Sequence, residues 1–270
     1  MNNHKRALEI IHDFLKERNL ENDFEELKDN VHYFLDYKET KIEDEWSVPL
    51  GTSKVGGLPH LPDSIKLLPN ELFLAQLNCA ELKDYDIFNL FPDSGIIYFF
   101  IKNGDFPRYA YYDGEASQLK VCQYPEQDES LYGKKELMER SCTIDFVNTE
   151  LITIVKSGLE WRLGDSFNEL DSLLKENLNC PVTFYHYGGY SSLPTDFIFG
   201  RPIYWQGEDE EFRVFEEGED EEESYSYRFS DSHIFSMEYG EGNINFFTKS
   251  SALDVSRDLD EQIIETYSGT

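Results

Sequence analysis

Gly56-Gly57 is followed after three residues by Leu61-Pro62, and Gly188-Gly189 after three residues by Leu193-Pro194. Adjacent glycines permit positive φ and close backbone approach, and a proline shortly afterwards sets an extended exit. Such a device shapes the corner where a chain enters a sheet, so two copies imply one corner built twice. Flanking blocks keep the same order. Leu72–Leu77 matches Ser232–Met237, and GIIYFF (95–100) matches GNINFF (242–247). Four matched blocks in one order favour an internal duplication. Two intertwined repeats, about 31–125 and 143–270, would share one core around a pseudo-twofold axis. Two copies at so long a period do not make a solenoid.

Periodicity fills in the elements. Ala7, Ile10, Ile11, Phe14 and Leu15 recur at helical spacing, and a second short helix is expected over Asp23–Lys28, so residues 1–30 read as an N-terminal helical segment. VHYFLDYK (31–38) alternates as a half-buried strand. ELFLAQLN (71–78), GIIYFFIK, RYAYYDG (108–114), QLKVCQYP (118–125), TIDFVNTELITIV (143–155) and SHIFSMEYGEGNINFFTK (232–249) read as further strands. Asn78 with Glu81, and Ser166 with Glu169, have capping-box spacing. Strands dominate without regular β-α-β alternation, so residues 31–270 are expected to form a single α+β domain of largely antiparallel sheet.

Charge narrows the partners. The 270 residues hold 24 Lys and Arg against 54 Asp and Glu, a formal net charge of −30. Such a surface repels phosphate backbones and anionic lipid heads, so neither nucleic acid nor membrane is expected, and a cationic partner is favoured. GEDEEFRVFEEGEDEEE (207–223) carries eleven acidic residues in seventeen and reads as a solvated loop, with Phe212, Val214 and Phe215 marking a short strand or sticky patch. The N-terminus shows no signal-peptide pattern, and the longest apolar run, Gly95–Ile101, is far short of the ~20 residues that span a bilayer. Cys79, Cys122, Cys142 and Cys180 lie 43, 20 and 38 residues apart and form no C-x-x-C. Reduced thiols and a cytoplasmic location are expected.

SKVGGLPHLP, FLAQLN and DSGIIYFFI together resemble the signature of the YwqG-like family of uncharacterised bacterial proteins, from about residue 40 to the C-terminus. The resemblance implies an α+β fold of two intertwined repeats and supplies no activity. Relatives often carry Gln at the position of Ser236, echoing Gln76, and the departure here weakens a symmetric paired-glutamine site.

Motifs for chemistry are sparse. GTSKVG (51–56) misses G-x-S-x-G by one residue, and adjacent Ser53 and Lys54 do not set up a dyad, so a turn is expected. Lys54 beside Gly56-Gly57 could cradle an anion, although a solvated lysine is the ordinary reading. No two of the six histidines have metal-ligand spacing, and 207–223 lacks the EF-hand order, so neither metal nor cofactor is expected. A pseudo-twofold axis could bring the two glycine loops together around a cleft. Lys54, Gly56, Gly57, His60, Gln76, Asp93, His186, Gly188 and Gly189 are its candidate lining. The expected function is a non-enzymatic binding protein, immunity- or inhibitor-like, that docks a basic protein. The alternative is an enzyme or small-molecule binder using the cleft between repeats.

Overall fold

A computed structural model describes residues 2–103, 106–125, 133–155, 159–185, 195–200, 211–214, 225–228 and 232–269. His186, Gly188, Gly189 and most of the acidic run lie outside these residues. The chain opens with α1 (Asn3–Glu17), α2 (Phe24–Lys28), β1 (Val31–Leu35), β2 (Lys38–Lys41), β3 (Lys54–Val55) and β4 (His60–Leu61). Next come β5 (Glu71–Asn78), α3 (Cys79–Leu82), β6 (Ile96–Lys102), β7 (Phe106–Tyr112) and β8 (Lys120–Val121). There follow α4 (Lys134–Glu139), β9 (Cys142–Asp145), β10 (Glu150–Val155), α5 (Leu159–Leu163), α6 (Phe167–Asn177) and β11 (Val182–Tyr185). The described chain closes with β12 (Glu211–Val214), β13 (Tyr225–Arg228), β14 (His233–Tyr239), β15 (Gly242–Thr248) and β16 (Ile263–Gly269).

The class is α+β. A six-stranded antiparallel sheet runs β2-β9-β3-β5-β6-β7, and β14-β15-β16 form an antiparallel meander. In the sheet β1-β10-β11, β10 and β11 pair in parallel, and the chain between them includes α5 and α6. A parallel pair needs such a crossover, whereas antiparallel neighbours need only a turn. Two further ribbons pair β4 with β8 and β12 with β13.

Helix α1 forms where its spacing predicts. The Asn2 side chain accepts from the Lys5 backbone N–H as N-cap, and Ala7, Ile10, Ile11, Phe14 and Leu15 are the buried stripe. That stripe joins the same core as the sheets. Strand β1 departs from the expected alternation, because all five residues are buried. Val31, Tyr33 and Leu35 enter the main core, while Phe34 packs against Phe197 on the other face.

Three other local expectations shift for tertiary reasons. Of 118–125 only Lys120–Val121 is strand, since its partner β4 is two residues long. Asn78 caps the Ala80 N–H, but Glu81 reaches Ser53 instead of closing a box. Ser166 makes no side-chain cap, being already helical in a 3-10 turn, and Glu169 pairs with Arg18. All four cysteines are free, and burial pushes the Cys79 thiol up to about 12. Among the described residues no helix is long and apolar enough to cross a membrane.

The two meanders share a register. Between β5 and β6, Phe73 faces Phe100, a bulge follows, and then Ala75 faces Phe99, Gln76 faces Tyr98 and Leu77 faces Ile97. Between β14 and β15, His233 faces Phe247, a bulge follows, and then Phe235 faces Phe246, Ser236 faces Asn245 and Met237 faces Ile244. In the core the Phe99 ring lies 4.9 Å from Phe246, and Tyr109 Oη donates to Glu265 Oε2 at 3.4 Å. Tyr109 is the residue facing Phe99 on β7, and Glu265 the residue facing Phe246 on β16.

Candidate functional site

Strand β3 is two residues wedged into the sheet, with Lys54 opposite Gln76 of β5 on one side and Thr143 of β9 on the other. The lysine side chain is therefore fully buried, against the expectation of a solvated one. A buried ammonium is tolerable only if paired and hydrogen-bonded. Its Nζ donates to Glu45 Oε2 at 2.5 Å and to the Leu58 carbonyl at 2.6 Å. The other carboxylate oxygen of Glu45 accepts from Ser141 Oγ at 2.5 Å and from the Leu58 N–H at 2.9 Å. Burial would raise the Glu45 carboxyl, but these donors outweigh it and hold it below the ordinary range. Burial likewise pushes Lys54 down, and Glu45 pulls it back.

The double glycine is shaped to this pair. Gly56 and Gly57 have φ of +60° and +66°, and their N–H groups donate to the Leu74 and Leu137 carbonyls. A Cβ on Gly56 would sit 2.3 Å from the Arg140 carbonyl oxygen and 2.4 Å from that of Leu137. On Gly57 it would sit 2.0 Å from Glu45 Oε1. Only glycine combines this conformation with so close an approach.

Beyond the turn the chain is stitched to β5. Gln76 Oε1 accepts from the His60 N–H at 2.9 Å, and its Nε2 donates to the Thr52 carbonyl at 2.7 Å. Asn78 donates its backbone N–H to Ser53 Oγ and its side chain to the Gly51 carbonyl. The His60 imidazole accepts from the Gly51 N–H through Nδ1 at 3.1 Å, which leaves the Nε2 position as the protonated one. Nε2 is buried with no partner among the described residues. Lys54, Gly56, Gly57, His60 and Gln76 thus belong to one buried centre. Asp93 stands apart, exposed and 3.3 Å from Lys83.

Chemically the centre is closed. Ser53 Oγ accepts from the Asn78 N–H and is fully buried, so it does not face solvent. Glu45 and Ser141 complete the centre and escape sequence reasoning. Glu45 sits in the acidic run EDEW (43–46), and nothing local marks one of these carboxylates as internal.

Burial, followed by the Lys54 charge, lowers the His60 pKa to about 4, and burial lowers that of His233 to about 3. The unfolded chain binds these protons at an ordinary pKa near 6.5, so each histidine withdraws stability as pH falls from there toward its folded value. For His60 the loss between pH 7 and pH 5 is about 2 kcal/mol. Urea unfolding of wild type and His60→Asn at both pH values isolates that loss from the carboxylates, because the asparagine oxygen can still accept from Gly51. The variant should lose about 2 kcal/mol less than wild type over this interval. Equal losses would refute the burial of a neutral His60.

On the corresponding face of β14-β15-β16 the polar groups are less complete. Ser236 Oγ donates to Asn245 Oδ1 at 2.7 Å, and Asn243 Nδ2 donates to the Thr195 carbonyl at 2.8 Å. Asn243 Oδ1, Asn245 Nδ2 and Thr266 Oγ1 are buried without partners among the described residues. Among those residues no group of three or more His, Cys, Asp or Glu is arranged to hold a metal ion.

Fold and site define an α+β domain whose main sheet is closed over a glycine turn and a buried Lys–Glu pair. The family model described as Domain of unknown function (DUF1963) matches residues 53–261, beginning at the first residue of SKVGGLP. The match spans well over half of the 270 residues, and the chain belongs to this family. A comparison with curated proteins gives no match.

Proposed function

We propose that the protein is a non-enzymatic binding protein, immunity- or inhibitor-like, that docks a basic protein through its acidic surface. The net charge of −30 carries this reading. Several cations are already paired: Lys54 with Glu45 in the interior, and, partly exposed, Arg108 with Glu71 and Arg140 with Glu39 and Asp196. The acidic excess is therefore left to the surface, where it raises the encounter rate with cations. The closed buried centre acts as scaffold in this reading.

The finer identity is YwqG-like, with a cytoplasmic location, an N-terminal helical segment and two repeats in one domain. The shared bulge and register of the meanders support the duplication, as do the contacts of Phe99 with Phe246 and Tyr109 with Glu265. Contact between like positions is what a pseudo-twofold axis produces. One observation favours a second reading as a small-molecule binder: the unpartnered Asn243, Asn245 and Thr266 atoms on one sheet face.

The test is titration against several basic proteins of equal net charge at rising salt. One of them should bind at least about tenfold tighter than the rest, and its affinity should fall with salt as surface charge is screened. Equal, weak binding to all of them, or none at low salt, would overturn the proposal.

A further inference from the structure

Adjacent residues at the edge of the buried centre point in opposite directions. Glu45 turns inward to Lys54, while the Trp46 side chain is 64% exposed, in the 3-10 turn Glu45–Ser47. Exposed apolar residues scattered singly need no explanation. Here Pro49 and Leu50, the latter 38% exposed, follow within four residues, so WSVPL (46–50) presents an apolar strip to solvent.

The strip stands on a fixed base. Asp44 Oδ1 accepts from the Trp46 N–H at 3.1 Å, and the Asp44 carbonyl accepts from Ser47 N–H and Oγ at 3.0 and 2.7 Å. At the far end Thr52 Oγ1 donates to the Pro49 carbonyl at 2.8 Å. The Glu45 carboxylate, held by three donor groups, ties the turn to the sheet. The backbone that carries the indole is therefore fixed, and the two side-chain torsions of a tryptophan are a small ordering cost on binding.

We propose that Trp46–Leu50 is the docking point for an arginine-bearing loop of the basic partner, with the Trp46 ring as stacking platform. The proposal rests on the acidic-docking reading above and gives it a place. Charge complementarity selects the occupant. Glu43 and Asp44 closely precede Trp46 in the chain and are exposed, Lys41 is the cation on the same segment, and the whole chain is strongly anionic. The face of an indole attracts a cation, and a planar guanidinium stacks on it better than an ammonium does.

The experiment uses the full chain with Trp161→Phe and Trp205→Phe, so that Trp46 is the remaining indole of three. An arginine-rich and a lysine-rich peptide of equal length and charge are the probes, followed by Trp46 emission. Calorimetry on otherwise wild-type protein and on Trp46→Ala gives the affinities independently of those two changes. The arginine peptide should shift Trp46 emission and bind more tightly than the lysine peptide. Trp46→Ala should weaken arginine-peptide binding about fivefold and erase the preference, with an unchanged melting temperature. If both peptides bind Trp46→Ala as they bind wild type, the docking point is wrong while acidic docking stands. If neither binds at low salt, acidic docking itself fails. Self-association that Trp46→Ala abolishes, or an emission shift with phosphatidylcholine vesicles and not with peptide, assigns the strip to another occupant and overturns the proposal.

Discussion

Glu45→Ala should destabilise the protein by about 3–5 kcal/mol, the cost of leaving one partner of a buried ion pair uncompensated. Lys54 is fully buried and has two acceptors, the Glu45 carboxylate and the Leu58 carbonyl. Removing the carboxylate strands an ammonium inside the sheet and leaves the Leu58 N–H without its acceptor. The reverse change, Lys54→Met, should cost less, since Glu45 is partly exposed and keeps Ser141 and Leu58 as donors. Joining Glu45→Leu to Lys54→Met should recover part of the loss, because no buried charge is left to desolvate while the Leu58 backbone groups and Ser141 lose their partners. Urea unfolding of wild type, Glu45→Leu, Lys54→Met and the double variant measures the coupling. A Glu45→Ala variant within about 1 kcal/mol of wild type would mean that the pair does not hold the sheet.

Gly56→Ala should be comparably severe, at about 3 kcal/mol or more, and its mechanism is separable. The left-handed conformation costs a non-glycine residue about 1–2 kcal/mol. The larger part comes from two backbone carbonyl oxygens at 2.3 and 2.4 Å, which cannot retreat without unpicking β3 or the end of α4. Gly57→Ala meets side chains instead, the Glu45 carboxylate at 2.0 Å and Ser141 at 2.3 Å, so its cost should shrink in a background that combines Glu45→Ala with Ser141→Gly. The Gly56→Ala cost should persist there. Gly164 is the control: its φ is +52° and a Cβ added there would meet nothing within 4 Å, so Gly164→Ala should cost only the conformational part. Should Gly56→Ala and Gly164→Ala have equal midpoints of unfolding, the close approach at Gly56 is not what demands glycine.

Much of this was legible in the chain. The five apolar residues that recur at helical spacing in α1 are its five buried residues, because a helix with a single partner face must place its stripe there. GIIYFFIK forms β6, and the antiparallel character follows from strands joined by turns. The Phe-bearing part of the acidic run contains β12, as its apolar residues suggested. Local patterns misled where a remote group outbid a near one. Glu81 and Glu169 sit at capping-box spacing yet serve Ser53 and Arg18, which are distant in sequence and adjacent in space.

The candidate site divides along the same line. Sequence alone determined that Gly56-Gly57 is a backbone device, since backbone freedom is a local property, whereas the pairing of β3 with β5 is what sets Gln76 against His60. Only the tertiary structure decided what the device encloses. Lys54 looks like any surface lysine until β5 and β9 flank it, and Glu45 looks like its acidic neighbours until Leu58 and Ser141 converge on it. Whether a charge is solvated or buried depends on which residues surround it in space, and no spacing along the chain records that.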